Sequence, residues 1–237
     1  NFRRALTDND RGWKVGEKMK IWQDAGLHYT VQQFHITSSD KDKTVIKGEY
    51  AFTDSKATAI IEHTVFANGT IEIEYNISIP LNLPNIPRIG LQFEIEKELQ
   101  NIDWYGRGAH ENYMDRESGA AIGIYQTTLN QWITPYVRPQ ENSNRGGIRW
   151  LRFSQGTHQL QFSAVGEPFC ASAWPYTIST LEQTTHDFEL KMHNNIIVDI
   201  DCNQMGVGGD CSWGLPVLQK YQIKPGKYQY KFIISAK

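Results

Sequence analysis

Two groups of residues in this sequence could do chemistry on a ligand. Glu111, Asp115 and Glu141 stand in the Gly- and Pro-punctuated stretches HENYMDR and PYVRPQEN, among Arg107, Arg116, Arg138 and Arg145. Two carboxylates flanking a bond are what glycoside hydrolysis needs, one to protonate the leaving oxygen and one to attack or to activate water. The same residues also make bidentate Arg–carboxylate pairs that tie loops together without any reaction. Trp213 forms the second group. It lies in DCNQMGVGGDCSWGLP, residues 201 to 216, where four glycines and one proline in sixteen residues predict an irregular loop. An indole there can lay its π face on the C–H face of a pyranose and offer its N–H, or it can plug the end of a sandwich.

Other chemistries find less support. His110 and His186 are the acid–base candidates among the histidines by their loop or short-helix positions, although a solvated or structurally bonded imidazole accounts for each. Gly106–Arg107–Gly108 and the glycines of 206 to 209 are not followed by a helical pattern that would offer its N-terminus to a phosphate. No serine-hydrolase elbow, Walker loop or kinase signature is present. Cys170, Cys202 and Cys211 are odd in number and widely spaced, and the histidines lack HExxH or HxxxH spacing, so neither a disulfide scaffold nor a zinc site is expected.

These loops need a frame, and the hydrophobic pattern predicts strands. Ile71, Ile73, Tyr75, Ile77 and Ile79 alternate with Glu72, Glu74, Asn76 and Ser78, the period of a half-buried strand. Ala57 to Ala67 is also strand-like, and Asn68–Gly69 between the two is a hairpin turn signal. The alternation returns at Ile89, Leu91, Phe93 and Ile95, at Leu160 and Phe162, and less cleanly at Ile148, Leu151 and Phe153. Tyr221 and Ile223 read as a strand turning through Lys224–Pro225–Gly226–Lys227 into Tyr228, Tyr230 and Phe232. Only Glu17 to Ala25 and Ile178 to His186 read as helices. Trp150 fits the core, Trp104 and Trp132 follow short strand-like runs, and Trp174, beside a proline, fits an exposed or interface position. Short strands between Gly, Pro, Asn and Asp clusters predict an all-β antiparallel sandwich.

The 237 residues carry 24 Lys+Arg against 26 Asp+Glu, which gives no basic footprint for nucleic acid. No apolar run is long enough for a membrane helix. Residues 80 to 88, PLNLPNIPR, read as a loop between strands and not as a linker, so one domain over 1–237 is expected. The opening NFRRALTDND lacks Met and any hydrophobic start, and the end YQYKFIISAK alternates nearly to its last residue, as expected for a C-terminal piece of a longer chain.

Four runs carry a resemblance. RRALTDNDRG from Arg3, WYGRG with ENYMDR from Trp104 to Arg116, YVRPQEN from Tyr136, and QMGVGGDCSW from Gln204 keep one order along nearly the whole chain. Together they resemble the C-terminal, fifth, small-chain-like domain of bacterial β-galactosidases of glycoside hydrolase family 2. That resemblance implies an antiparallel supersandwich similar to galactose mutarotase, packed on the catalytic barrel and other domains of the same parent chain. The two catalytic glutamates of that family sit on a separate (β/α)8 barrel, so this segment is expected to be inactive alone. Trp213 falls at the family's loop tryptophan and would be a stacking wall for a β-galactoside, with Arg107, Glu111, Arg138 and Glu141 as further groove candidates. No cofactor or metal site is expected here; Mg and Na are implied only near the parent's barrel, and a homo-oligomeric parent in the cytoplasm or periplasm of a bacterium is compatible. The chain departs from the family pattern at Leu6 and Ala109, commonly Pro, at Cys211, commonly Asp, and at Ser143, often Gly. Two other readings are a free-standing carbohydrate-binding module and an aldose epimerase using His110, Glu111 and Glu141.

Overall fold

The computed structural model describes residues 1–209 and 214–237. Its strands in chain order are β1 (Tyr29–Ser39), β2 (Lys43–Phe52), β3 (Thr58–Phe66), β4 (Ile71–Ser78), β5 (Arg88–Glu96), β6 (Asn101–Gly108) and β7 (Ala121–Thr128). They continue with β8 (Arg145–Ile148), β9 (Trp150–Gln155), β10 (His158–Ala164), β11 (Phe169–Trp174), β12 (Asn195–Gln204) and β13 (Lys227–Ala236). Nine of them form one antiparallel sheet in the order β1-β2-β3-β4-β13-β10-β9-β6-β7, and four form a second in the order β5-β12-β11-β8. The expected all-β antiparallel sandwich is present.

The predicted β3–β4 hairpin turns at Asn68–Gly69. Gly69 sits at φ +83°, where a Cβ would be strained, and the Asn68 side chain accepts from the Thr70 N–H at 3.0 Å. The alternating apolar residues of β4 face inward, with Ile73, Tyr75 and Ile77 buried and Ile71 half-buried. From the facing sheet, Phe93 of β5 stands 5.4 Å from Phe162 of β10 and 6.0 Å from Phe232 of β13, so the two inner faces close on one apolar cluster. At roughly 1.5–3 kcal/mol for each fully buried large side chain, that cluster dominates the energetics of the fold.

Several expectations change. Tyr221 belongs to a 3₁₀ turn over Gln219–Tyr221, and Ile223 makes only an isolated bridge to Ile86; β13 pairs with β4 and β10 instead. Trp174 is buried, its indole N–H donating to Asn142 Oδ1 at 3.3 Å, because β11 is covered on both faces. Trp150 is only half-buried, with the Arg152 guanidinium 5.6 Å from its ring centroid. The helical readings shrink to Val15–Lys18, Ile21–Asp24 and Ile178–Gln183, the last capped by Thr177.

Candidate functional site

Alternate residues of β12 point to opposite faces. Val198 and Ile200 enter the core between the sheets, which leaves Asp199 and Asp201 together on the outer face, both fully buried beneath the segments that carry Arg4 and Glu141. Arg88, the first residue of β5, places its guanidinium among them. It donates to Glu141 Oε1 at 3.0 Å and to Gln204 Oε1 at 2.6 Å, and it pairs with Asp199. Arg88 Nε also lies 3.1 Å from Asp201 Oδ2, oriented as an ion pair without a hydrogen bond. The ring of Trp174 stacks 5.6 Å from the same guanidinium.

One cation thus serves three buried carboxylates. Burial pushes the Glu141 carboxyl up to about 6 although Arg88 opposes it, and burial holds Asp201 well above the carboxylate range. Burial works against the charge on Arg88, but Asp201, Glu141 and Asp199 more than offset it and keep the guanidinium charged. The centre that a divalent ion would need is filled by this guanidinium. Among the described residues no group of three or more His, Cys, Asp or Glu is arranged to hold a metal ion.

A second buried pair fastens the loop that follows β12. Arg4 binds Asp10 bidentately at 2.8 and 3.0 Å and donates to the carbonyls of Met205 at 2.6 Å and Gly206 at 2.9 Å. Asp10 is itself part of a capping box with Thr7 at the start of the turn of helix Asp8–Gly12. Farther along, Asn9 Nδ2 donates to the Val207 carbonyl at 3.0 Å, Asp115 Oδ2 accepts from the Gly208 N–H at 2.7 Å, and Arg116 donates to the Gly208 carbonyl at 3.0 Å. A Cβ on Gly206 would stand 2.6 Å from the Asp115 carboxylate, so glycine is required for this approach. Beside the stem lies a cavity of about 180 Å³ lined by Asn9, Tyr113, Arg116, Glu141 and Val207, among others. Trp213 and Cys211 fall outside the described residues. The stems on either side of 210–213 are placed: a Cβ on Gly209 would lie 3.2 Å from Arg116 Nη2, and one on Gly214 would lie 3.9 Å from the Gly12 carbonyl.

No hydrogen bond or ion pair joins any two of the four groove candidates, and each is engaged elsewhere. Arg107 on β6 pairs with Glu117 at 3.2 Å and donates to the carbonyls of Glu117 and Ala120. Glu111 accepts from the Tyr136 hydroxyl and from the Ser143 N–H at 2.7 Å. Arg138 is more than half exposed, 3.9 Å from Asp8. Glu141 is buried against Arg88. Arg145 takes no carboxylate: it stacks 4.1 Å from the Trp132 centroid and donates to the carbonyls of Trp132, Ser143 and Ala109, and burial lowers its pKa to about 10. His110 and His186 are both exposed. Sequence reasoning missed Arg88, Asp199 and Asp201, and held Arg4 and Gln204 only as members of the runs that carry the resemblance. The available signal was two aspartates at alternate positions inside the apolar run IIVDID, which marks a strand whose outer face is also covered.

Comparison with known proteins is consistent along the chain. A family model described as the β-galactosidase small chain matches residues 1–234. A β-galactosidase of Priestia megaterium is 35% identical over 224 residues, covering 94% of this chain and 22% of that protein. A β-galactosidase of Streptococcus thermophilus is 33% identical over 237 residues, covering 99% of this chain and 23% of that protein. The chain therefore spans less than a quarter of the length of these relatives. Among solved structures, the galactose 1-epimerase of Lactobacillus acidophilus NCFM aligns with 89% of this chain and 66% of its own at 6% identity, with a TM-score of 0.49.

Proposed function

The chain belongs to the β-galactosidase small-chain family, and from that premise we propose that it is a noncatalytic accessory domain of a β-galactosidase acting on terminal β-D-galactosides. It packs on the catalytic barrel and carries Trp213 into the substrate cleft as a stacking platform. The observation that carries this reading is the fastening of the 205–209 stem by Arg4, Asn9, Asp115 and Arg116, residues of separate sequence runs that meet at one loop. A loop held by four polar side chains is suited to presenting an indole in a fixed place, where an ordering cost would otherwise be met on binding. Arg107, Glu111, Arg138 and Glu141 then serve as supports of the surrounding loops. The reactive carboxylates belong to the barrel; the candidates of this chain, Glu111, Asp115 and Glu141, are engaged with hydroxyl, backbone amide, guanidinium and side-chain amide groups.

A stacked sugar contact contributes on the order of 1 to 3 kcal/mol, roughly ten- to hundredfold in affinity. Trp213→Ala in the full-length enzyme should therefore raise KM for a galactoside by about that factor with kcat retained, while Trp213→Phe recovers part of the loss. A KM within twofold of the parent would refute the platform. A self-contained sugar-binding module is the second reading, favoured by the polar cavity beside the stem. Isothermal titration of the 237-residue chain with galactose or lactose separates the two, because a half-site gives no saturable heat at millimolar sugar.

A further inference from the structure

The nine-stranded sheet continues past its cover. Residues paired across an antiparallel ladder share a face. The register therefore aligns Tyr29, Val31, Phe34 and Ile36 of β1 with Phe52, Tyr50, Gly48 and Ile46 of β2, and these last three with Ala59, Ile61 and His63 of β3. On β4 and β13 the same face carries Ile73, Tyr75, Tyr230 and Phe232, and there it meets the smaller sheet. Cover stops at β5, the end strand of that sheet. Beyond it Phe34 and Ile36 are 61% and 62% exposed, and a groove of about 520 Å³ opens between Tyr29, Tyr50 and Phe52 on one side and Leu91 and Gln92 on the other.

The open edge of β5 already holds the start of a pairing. The Asn1 nitrogen donates to the Gly90 carbonyl at 2.8 Å, and the Gly90 N–H donates to the Asn1 carbonyl at 3.1 Å, the reciprocal exchange of an antiparallel ladder. Because strand residues alternate in the edge they address, Gln92 and Glu94 present their N–H and C=O in the same direction as Gly90. Phe2, the residue after Asn1, turns its ring inward, 5.1 Å from Phe52 and 5.4 Å from Trp22.

We propose that this lane is filled by an extended strand: the polypeptide joined to the amino side of Asn1 in a full-length protein of this family, running antiparallel to β5. Its alternate side chains are apolar and lie on Leu91, Tyr50 and Ile61, and its backbone pairs with Gln92 and Glu94. Two observations select this occupant over a separate molecule. The Asn1 backbone is in register with β5, so continuing it needs no turn, and the relatives are more than four times as long as this chain. Adding such a strand also removes an exposed sheet edge beside an apolar face, a combination that otherwise invites aggregation.

The proposal rests on reading the chain as one part of a longer polypeptide, and it does not depend on Trp213. Amide hydrogen exchange on the full-length enzyme tests it. Gln92 and Glu94 should exchange as slowly as the central strand β12, at least about a hundredfold slower than unprotected amides, and Tyr29 and Tyr50 should resist nitration. Free exchange at Gln92 and Glu94 in the full-length enzyme overturns the proposal. So does protection that appears in the 237-residue chain with rising concentration and vanishes on dilution, which gives the lane to a second copy. A failed KM prediction for Trp213 would leave the exchange result standing, and the reverse also holds.

Discussion

Glu141 shows how burial sets the character of a side chain. Its carboxyl, engaged by Arg88 and Gln204 on one oxygen, leaves Oε2 without a hydrogen-bond partner, and burial raises its pKa from 4.5 to about 6. The sign follows from linkage: the folded state holds this proton more tightly, so the stability it contributes is complete below pH 4.5 and is lost as pH rises through about 6. The change is about 2 kcal/mol. Glu141→Gln should remove it, so that unfolding in urea at pH 4.5, 5.5 and 6.5 gives a variant whose stability falls less with pH than the parent's. Parallel profiles would contradict this. From sequence Glu141 was legible as a loop carboxylate near arginines, but its partner was not, since Arg88 is 53 positions away and only the fold joins them. Ser143 was legible more directly: the resemblance implies a frequent Gly at this position, and its φ of +67° is the left-handed conformation that glycine adopts without strain.

At the level of elements, β4 and its hairpin were readable because one face is buried and the other wet, so a strict period of two survives. β1 escaped because its register shifts between Val31 and Gln33 and again between Ile36 and Ser38, and each bulge breaks the alternation. β12 escaped for another reason: both of its faces are covered, one by the facing sheet and one by the Arg4 and Glu141 segments, so apolar and acidic residues are mixed within it. The seam between β5 and β12 is correspondingly tight. A Cβ on Gly90 would stand 1.9 Å from Asp201 Oδ1 and 2.8 Å from Asp201 Cα, and the latter is backbone that cannot swing aside. Gly90→Ala is therefore expected to cost about 2–3 kcal/mol, roughly 5–10 °C in Tm for a chain of this size. Thermal unfolding reads this directly, and an unchanged Tm would show that the seam can open without loss.

The whole molecule divides its labour between two sheets that enclose an apolar core and an outer polar layer that fixes loops. Arg88 with its three carboxylates and Arg4 with Asp10 are costly to bury and are retained where loop placement matters; removing one member of such a pair typically costs 3–5 kcal/mol. That layer joins sequence runs that lie far apart: side chains of RRALTDND and ENYMDR bind the backbone of the 205–209 stem. The runs themselves were visible in sequence, whereas their convergence depends on long-range contacts. The most direct test of the account is a double-mutant cycle on KM for a galactoside in the full-length enzyme, using Asp115→Ala, Trp213→Ala and both together. If the stem acts by placing the indole, each single change raises KM and the double variant is no worse than Trp213→Ala alone. Additive effects, or a KM for Trp213→Ala within twofold of the parent, would contradict the account.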